Sequence, residues 1–398
     1  MTTPDLSIVI VHHRDLEQLL ECLDGVAASR GVSAIETIVV DNTGGKPLGE
    51  VFRRHPSVKL VNAPGNVGFA RGCRLGVEAA RSPAIAFVND DAVVLPDALE
   101  RLSGALASAP ADVAAVAGRL TDRSGERNDF SDGFLTFDGH AFQSDVGKPV
   151  GTLPPAVPGE ERLFACGGLM AVRRAAFLDS GGFDDDYFAY LEDVDFGWRQ
   201  WIFGRRILAE PRAAARHRGG ATGEALGIYS RGFLIEKNAF ATAYKNFDRE
   251  HFLGLMPGIL GAFLGRVAEM LAARNPGASE LLQDPYGKPE GRRSLWAKLL
   301  GVRPEAGRRL AISDPLTVAH LRALVWIHGR HAALAEKRLA VQAARLRSDA
   351  EIFAKFPLRL VPTYPGDERF DSDYFRELLA GAPPLVRASL SEVLGTRA

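Results

Sequence analysis

The sequence predicts an α/β protein: a doubly wound sheet followed by a helical region. Three observations carry this. Four short, almost wholly apolar runs lie in the first 90 residues, Ser7–Val11, Ile35–Val40, Val58–Val61 and Ala84–Val88. Runs of this kind read as strands buried on both faces of a sheet. Helical patterns separate them at Leu16–Ala28, Leu48–Arg54 and Ala70–Ala80, the last with Ala70, Cys73, Val77 and Ala80 at helical spacing. Alternation of strand and helix implies right-handed crossovers. From about Arg231 the texture changes to Ala, Leu and Arg, with helical segments at 231–247, 252–273, 316–347 and 373–380. The expected domains are 1–230 and 231–398.

Between these parts, residues 121–160 are rich in Gly, Pro, Asp and Ser and read as loop or an irregular insertion. Pattern resumes at Leu163–Val172, a turn and strand, and a helix is expected near Arg174. The segment LEDVDFGWRQWIFG reads as a helix, and Arg206–Ala209 as a last strand ending at Pro211.

Composition bounds the function. The 398 residues are 46% hydrophobic and 24% charged, as in a globular protein rather than a disordered one. With 48 basic and 49 acidic residues, no global field favours nucleic acid. Cys22, Cys73 and Cys166 are an odd, widely spaced set. They suggest neither a disulfide framework nor a zinc site, and fit a reducing cytosol. Met1–Asp5 is polar, and no basic stretch leads into an apolar one, so no signal peptide is expected. The most apolar stretch, Phe252–Leu271, just reaches a bilayer's width, but Arg266 and Glu269 lie near its end. Residues 288–309 then carry seven basic side chains against two acidic ones. An apolar helix beside a basic cluster suits a peripheral anchor on anionic lipid. It equally suits a core helix followed by a solvated loop.

Ligands of open α/β sheets bind outside the carboxyl ends of the strands. There stand His12, His13 and Arg14, then Asp41, Asn42 and Thr43, then Asn89, Asp90 and Asp91. Adjacent carboxylates after a buried strand repel unless a cation joins them, and hard oxygen ligands suit Mg²⁺ or Mn²⁺ on a diphosphate. The same loop also suits a polar entry to the next helix. Asp41 can accept from a base or a ribose, or close an Asx turn. Gly65-Asn66-Val67-Gly68-Phe69-Ala70-Arg71 precedes a helix, where glycines admit phosphate and Arg71 offers a charged fork. It equally suits an ordinary helix entry. Glu192, Asp193 and Asp195 open a helix, where acids favour the dipole and one of them could serve as a general base. Trp198 and Trp201 suit either a sugar platform or the core. His217 is a candidate metal ligand or an idle histidine.

The order of these motifs resembles the inverting family 2 glycosyltransferases of GT-A fold, most nearly the rhamnosyltransferase-like branch. The motifs are strand-Asp, GNVGFA, NDD, GGLMAVRR, GGFD, EDVD and a downstream His, over about residues 6–220. The resemblance implies a GT-A mixed sheet, a UDP- or dTDP-sugar donor with rhamnose among the candidate sugars, and a Mg²⁺ or Mn²⁺ cofactor. It implies Asp41 at the nucleobase, and Asn66, Gly68, Arg71, Asn89 and Asp90 along the nucleotide sugar. Gly167 and Gly168 would shape the sugar pocket, Asp91 and His217 would ligate metal, and Asp193 would be the base with Glu192 beside it. The acceptor it implies is a glycan or lipid-linked saccharide of the cell envelope, met at the cytoplasmic face of the membrane. Peripheral contact through 252–309 or homodimerisation would be the task of the helical region. The chain departs from the family at His12-His13-Arg14, at Cys73-Arg74, and at Asn89. Two other classes remain: a decayed nucleotide- or carbohydrate-binding module, and a nucleotidyltransferase, which would want a basic glycine-rich loop absent at residues 12–16.

Overall fold

The computed structural model describes residues 3–154, 156–219, 221–277 and 311–394, with the side chains of 221–225, 393 and 394 left aside. Strand β1 (Leu6–His12) is buried along its whole length and lies between β2 (Ile35–Asp41) and β4 (Ala84–Val88), both parallel to it. β3 (Lys59–Asn62) extends the parallel set beyond β2. The crossovers are α1 (Leu16–Ala27), α2 (Gly49–Arg54) and α3 (Gly68–Ala79). Asp15 starts α1 by accepting from the backbone N–H groups of Glu17 and Gln18.

The sheet continues through β10 (Leu169–Arg173), antiparallel to both β4 and β6 (Val113–Thr121). β11 (Arg206–His217) runs parallel to β6 and antiparallel to the short β5 (Ala92–Val94). The order is β3-β2-β1-β4-β10-β6-β11-β5, with β7 (Asn128–Phe130) paired to β6. This is the mixed α/β GT-A sheet that the resemblance implies.

Two expectations need correction. β11 does not stop at Pro211. It shifts register between Ala209 and Ala214, and that bulge absorbs a residue with no N–H to give. The strand therefore runs on and ends at His217. The stretch 121–160 is not all loop: it holds the end of β6, then β7, and a hairpin of β8 (Gly133–Leu135) and β9 (Ala141–Gln143). β6 itself was not anticipated, because VAAVAGRLT is alanine-rich and buried on both faces, and so shows no alternation.

α4 (Ala98–Ser108) covers β6 and β11, and α5 (Arg174–Asp179) follows β10. α6 (Glu192–Ile202) is buried almost throughout. Trp198 and Trp201 belong to the core. Trp198 packs edge-on against Phe247 at 4.8 Å and Phe353 at 5.3 Å. These partners come from the helices beyond the sheet: α7 (Ala221–Asn246, kinked at Gly227), α8 (Arg249–Arg274), α9 (Pro315–Gly329), α10 (His331–Ala343), α11 (Asp349–Lys355) and α12 (Asp373–Leu378). Phe247, Leu255, Ile259, Phe353 and Phe375 lie in one continuous core with Leu6, Ile8 and Ile10 of β1. The helices thus bury their apolar faces against the sheet domain's own core.

Among the described residues one helix, α8, is long and apolar enough to cross a membrane. His251, Leu255, Ile259, Ala262, Arg266 and Met270 form its buried face. Arg266 is ion-paired there with Asp138 at 2.9 Å and Asp367 at 2.7 Å. Leu253, Leu260 and Leu264 face outward, 47–64% exposed. The basic cluster of 288–309 lies outside the described residues.

Candidate functional site

The parallel register aligns the strand ends. His12 of β1 stands opposite Asp41 of β2, and Asp41 opposite Asn62 of β3. The polar groups named from sequence therefore meet along one edge.

At one end of that edge Asp41 is nearly buried. Its Oδ1 accepts from the backbone N–H of Thr43 at 2.9 Å and from the Thr43 hydroxyl at 2.6 Å. This is the Asx turn that competed with a nucleotide role, and it fixes the carboxylate at the edge. Asn42 donates to Asn66 Oδ1 at 3.0 Å and accepts from the Val67 N–H at 2.8 Å. Asn66 Oδ1 also accepts from the Gly68 N–H at 3.1 Å, shaping the entry to α3. Gly68 has φ +83°, and a Cβ there would lie 2.4 Å from the Phe188 carbonyl oxygen. Arg71 is exposed on α3.

In the middle, His12 is buried and its Nδ1 meets Asp90 Oδ2 at 2.8 Å. The departure at the end of β1 thus has a structural partner: it holds Asp90. Gly168 accepts from the Asn89 N–H at 3.1 Å. A Cβ on Gly168 would come within 3.0 Å of the Leu120 side chain and 3.1 Å of the Asn89 side chain, a tight fit on both sides.

At the far end His217 closes the cluster. Its Nε2 lies 3.0 Å from Asp91 Oδ1 and 3.2 Å from the Asn89 amide, and its Nδ1 lies 2.6 Å from Asp129 Oδ2. Burial works against a charged imidazole, but the hydrogen bonds to Asp129 and Asp91 prevail and raise His217 to about 10. A divalent cation could be held here: Asp91 would offer a hard oxygen and His217, on giving up its Nε2 proton, an imidazole nitrogen, with Asp129 behind the ring to orient it. Asp129 was missed from sequence. It lies on β7, in the stretch read as loop, and no motif marks it.

The candidate base stands across the loop before β10. Asp193 Oδ2 accepts from the Gly167 N–H at 2.9 Å, and Oδ1 from the Val194 N–H at 2.8 Å. Burial raises Asp193, and burial with the Asp193 charge raises Glu192 to about 8. Two buried carboxyls side by side resist ionising together. Asp195 has a different task. It is fully buried and paired with Arg199 at 2.8 Å and Lys245 at 3.1 Å, so it joins α6 to α7. The turn into α6 is strained: Phe188, Tyr190 and Leu191 take φ of 65°, 71° and 64°. For residues other than glycine each costs roughly 1–2 kcal/mol, which the surrounding contacts must hold in place.

Gly167 and Gly168 thus join the two halves. A short path of hydrogen bonds runs from Asp193 through this loop to Asn89, His217 and Asp91. A second acid–histidine group, Asp248, His251 and Asp349, lies elsewhere. Its carboxylates are taken up by backbone N–H groups. Asp248 accepts from Asp349 N–H at 2.9 Å, and Asp349 from Asp248 N–H at 2.6 Å. They clamp the start of α8 to that of α11.

Residues 7–181 match the sequence profile of "Glycosyl transferase family 2". A low-salt glycan biosynthesis hexosyltransferase, Agl10 of Haloferax volcanii, is 25% identical over 207 residues, 49% of this chain and 61% of that protein's own length. A solved mannosyltransferase of Pyrobaculum calidifontis, in complex with GDP-Man and Mn²⁺, is 16% identical with a TM-score of 0.45, over 81% of this chain and 87% of that one. Fragment 1-349 of S. aureus TarS, in complex with UDP-GlcNAc, is 12% identical with a TM-score of 0.47, over 68% of this chain and 75% of the fragment.

Proposed function

We propose, from the premise that this chain belongs to glycosyl transferase family 2, that it moves a sugar from a nucleotide diphosphate donor to an acceptor hydroxyl with inversion. One observation carries the reading: the carboxylate of Asp193 and the Asp91–His217 pair are joined across the Gly167-Gly168 loop. A pair that could hold a cation on a diphosphate and a carboxylate that could take a proton thus stand on either side of one loop.

Asp193 accepts the proton of the acceptor hydroxyl as that oxygen bonds to the anomeric carbon. The bond from that carbon to the diphosphate oxygen breaks, with its electron pair leaving on the diphosphate. Direct displacement inverts the anomeric configuration, and no covalent enzyme nucleophile is needed. A divalent cation, Mg²⁺ or Mn²⁺, supplies charge neutralisation on the departing diphosphate when bound. Asp91 and His217 would hold it, and Asp129 would orient His217. Asp41, with Asn66 and Gly68 beside it, receives the nucleoside. Asn89, Asp90 and Arg71 line the approach of the phosphates.

The donor is a UDP- or dTDP-sugar, rhamnose being the sugar favoured by the motif order. The acceptor is a cell-envelope glycan or lipid-linked saccharide at the cytoplasmic face. Residues 1–230 perform transfer. Residues 231–398 serve the acceptor and the membrane surface, to which the outward Leu253, Leu260 and Leu264 contribute. The division is one of labour, since both parts share a core.

The test is thermal unfolding with UDP, dTDP, GDP and CDP, each with Mn²⁺, with Mg²⁺ and with a chelator. A nucleotide at 100 times its Kd adds about 2.7 kcal/mol. A shift with one nucleotide, abolished by the chelator, is expected. No shift with any of them would refute the donor site.

A further inference from the structure

We propose that Asn238 of α7 is a positioning residue for the Asp193 carboxylate, so that α7 helps to place the base. This rests on the reading of Asp193 as the base.

Asn238 is completely buried, yet its amide N–H groups point off their own helix. Nδ2 donates to three carbonyls of the turn before α6, sharing its two hydrogens among them: Tyr187 O at 3.1 Å, Ala189 O at 2.9 Å and Tyr190 O at 2.7 Å. Its Oδ1 accepts from Lys237 Nζ at 2.6 Å, and Lys237 in turn donates to Asp186 O at 2.5 Å. Thr242, one turn further along α7, meets the Tyr187 hydroxyl at 2.6 Å. Lys245 of α7 and Lys337 of α10 both pair with Asp184 at the start of the same turn.

The turn so gripped holds the left-handed Phe188, Tyr190 and Leu191 and runs directly into Glu192 and Asp193. Its other side rests on the nucleotide half: the Phe188 carbonyl accepts from Ala70 N–H at 3.2 Å, against Gly68. The turn is therefore a spacer between the start of α3 and α7. Asn238 holds its strained backbone, and with it the separation of Asp193 from the donor side. An amide is the right group, since a side chain of this length offers no other paired N–H donors with an acceptor for Lys237.

The experiment compares wild type, Asn238→Ala, Asp193→Asn and Leu255→Ala in the full chain. Leu255→Ala opens a cavity in the α8 core away from the turn and is the control for lost stability. Each is read for kcat, donor KM, the pH profile of kcat and Tm. Asn238→Ala is expected to lower kcat about 10-fold or more with donor KM within about two-fold, and to move the acid limb of the pH profile. Leu255→Ala, with an equal or larger loss of Tm, should keep kcat. Should Asn238→Ala fail to fold, Lys237→Met, which removes the brace on Asn238, should lower kcat with the same split. Unchanged kcat in Asn238→Ala, or a fall matched by Leu255→Ala, overturns the proposal. Full turnover in Asp193→Asn would instead overturn the base assignment, whatever Asn238→Ala does.

Discussion

Replacing Glu192 by Gln should make the protein more stable at neutral pH, and the gain should grow with pH. Glu192 is buried beside Asp193, and these two causes lift it from 4.5 to about 8. A carboxyl raised in this way stabilises the fold through its proton. That contribution is complete below the unfolded value and is lost as pH rises through the folded one. At pH about 7 the unfolded chain has released the proton and the folded chain has kept it, a gap of roughly 2.5 decades. At 1.36 kcal/mol per decade this is about 3 kcal/mol of strain on the fold. Gln keeps the shape and removes the titration. Its amide meets the same surroundings in which Glu192 Oε2 has no hydrogen-bond partner, so about 1 kcal/mol is given back. The net expectation is about 2 kcal/mol, or roughly 2–3 °C in Tm for a chain of 398 residues. The assay is thermal unfolding of both proteins from pH about 4.5 to about 8.5, spanning the unfolded and folded values. Wild type should lose stability across this window relative to the variant: about 1 kcal/mol the more stable at its acid end, where only the unpaired amide of Gln counts, and the less stable above neutral pH. Parallel pH dependences would refute the reasoning, since no proton would then be held by burial at this position.

Four further outcomes follow from the same geometry. Asp193→Asn should lower kcat about 10²- to 10⁴-fold, the range for a lost general base, and leave the nucleotide Kd unchanged by calorimetry. Asp129→Asn, which cuts the 2.6 Å support behind His217, should weaken the metal dependence of turnover about 10- to 100-fold, read by metal titration. Gly68→Ala should cost about 1–2 kcal/mol for its φ of +83° and displace Phe188, so that kcat falls along with Tm. Arg266→Met leaves Asp367 buried without its cation, while Asp138 keeps only His140 at 3.1 Å. It should destabilise by about 3–5 kcal/mol in denaturant unfolding.

The parallel strands and the edge where chemistry gathers were legible in the sequence, whereas β5, β6 and β7 were not. Ser7–Val11, Ile35–Val40 and Ala84–Val88 are uniformly apolar because they are buried on both faces, a local signal that needs no partner to be read. The polar residues directly after them fall at the carboxyl edge by topology alone. In the same way GNVGFA and EDVD announce helix entries.

Only the tertiary structure decided which polar groups touch. Asp129 and His217 meet across 88 residues because β7 folds back on β6 while β11 passes through a bulge at Pro211. Neither step has a periodicity to betray it. His12 became a partner of Asp90 rather than a free ligand-facing group for the same kind of reason, 78 residues apart. The helical region is the clearest case. Its composition foretold helices, but the grip of Asn238 on the turn before Asp193 depends on where α7 lies against that turn. An amide on a helix looks the same in sequence whether it faces solvent, core or three backbone carbonyls. Local pattern fixes the elements, because it reflects burial and backbone propensity. Contacts between distant elements settle the site, because each hydrogen bond there is made by residues whose only relation is their final position.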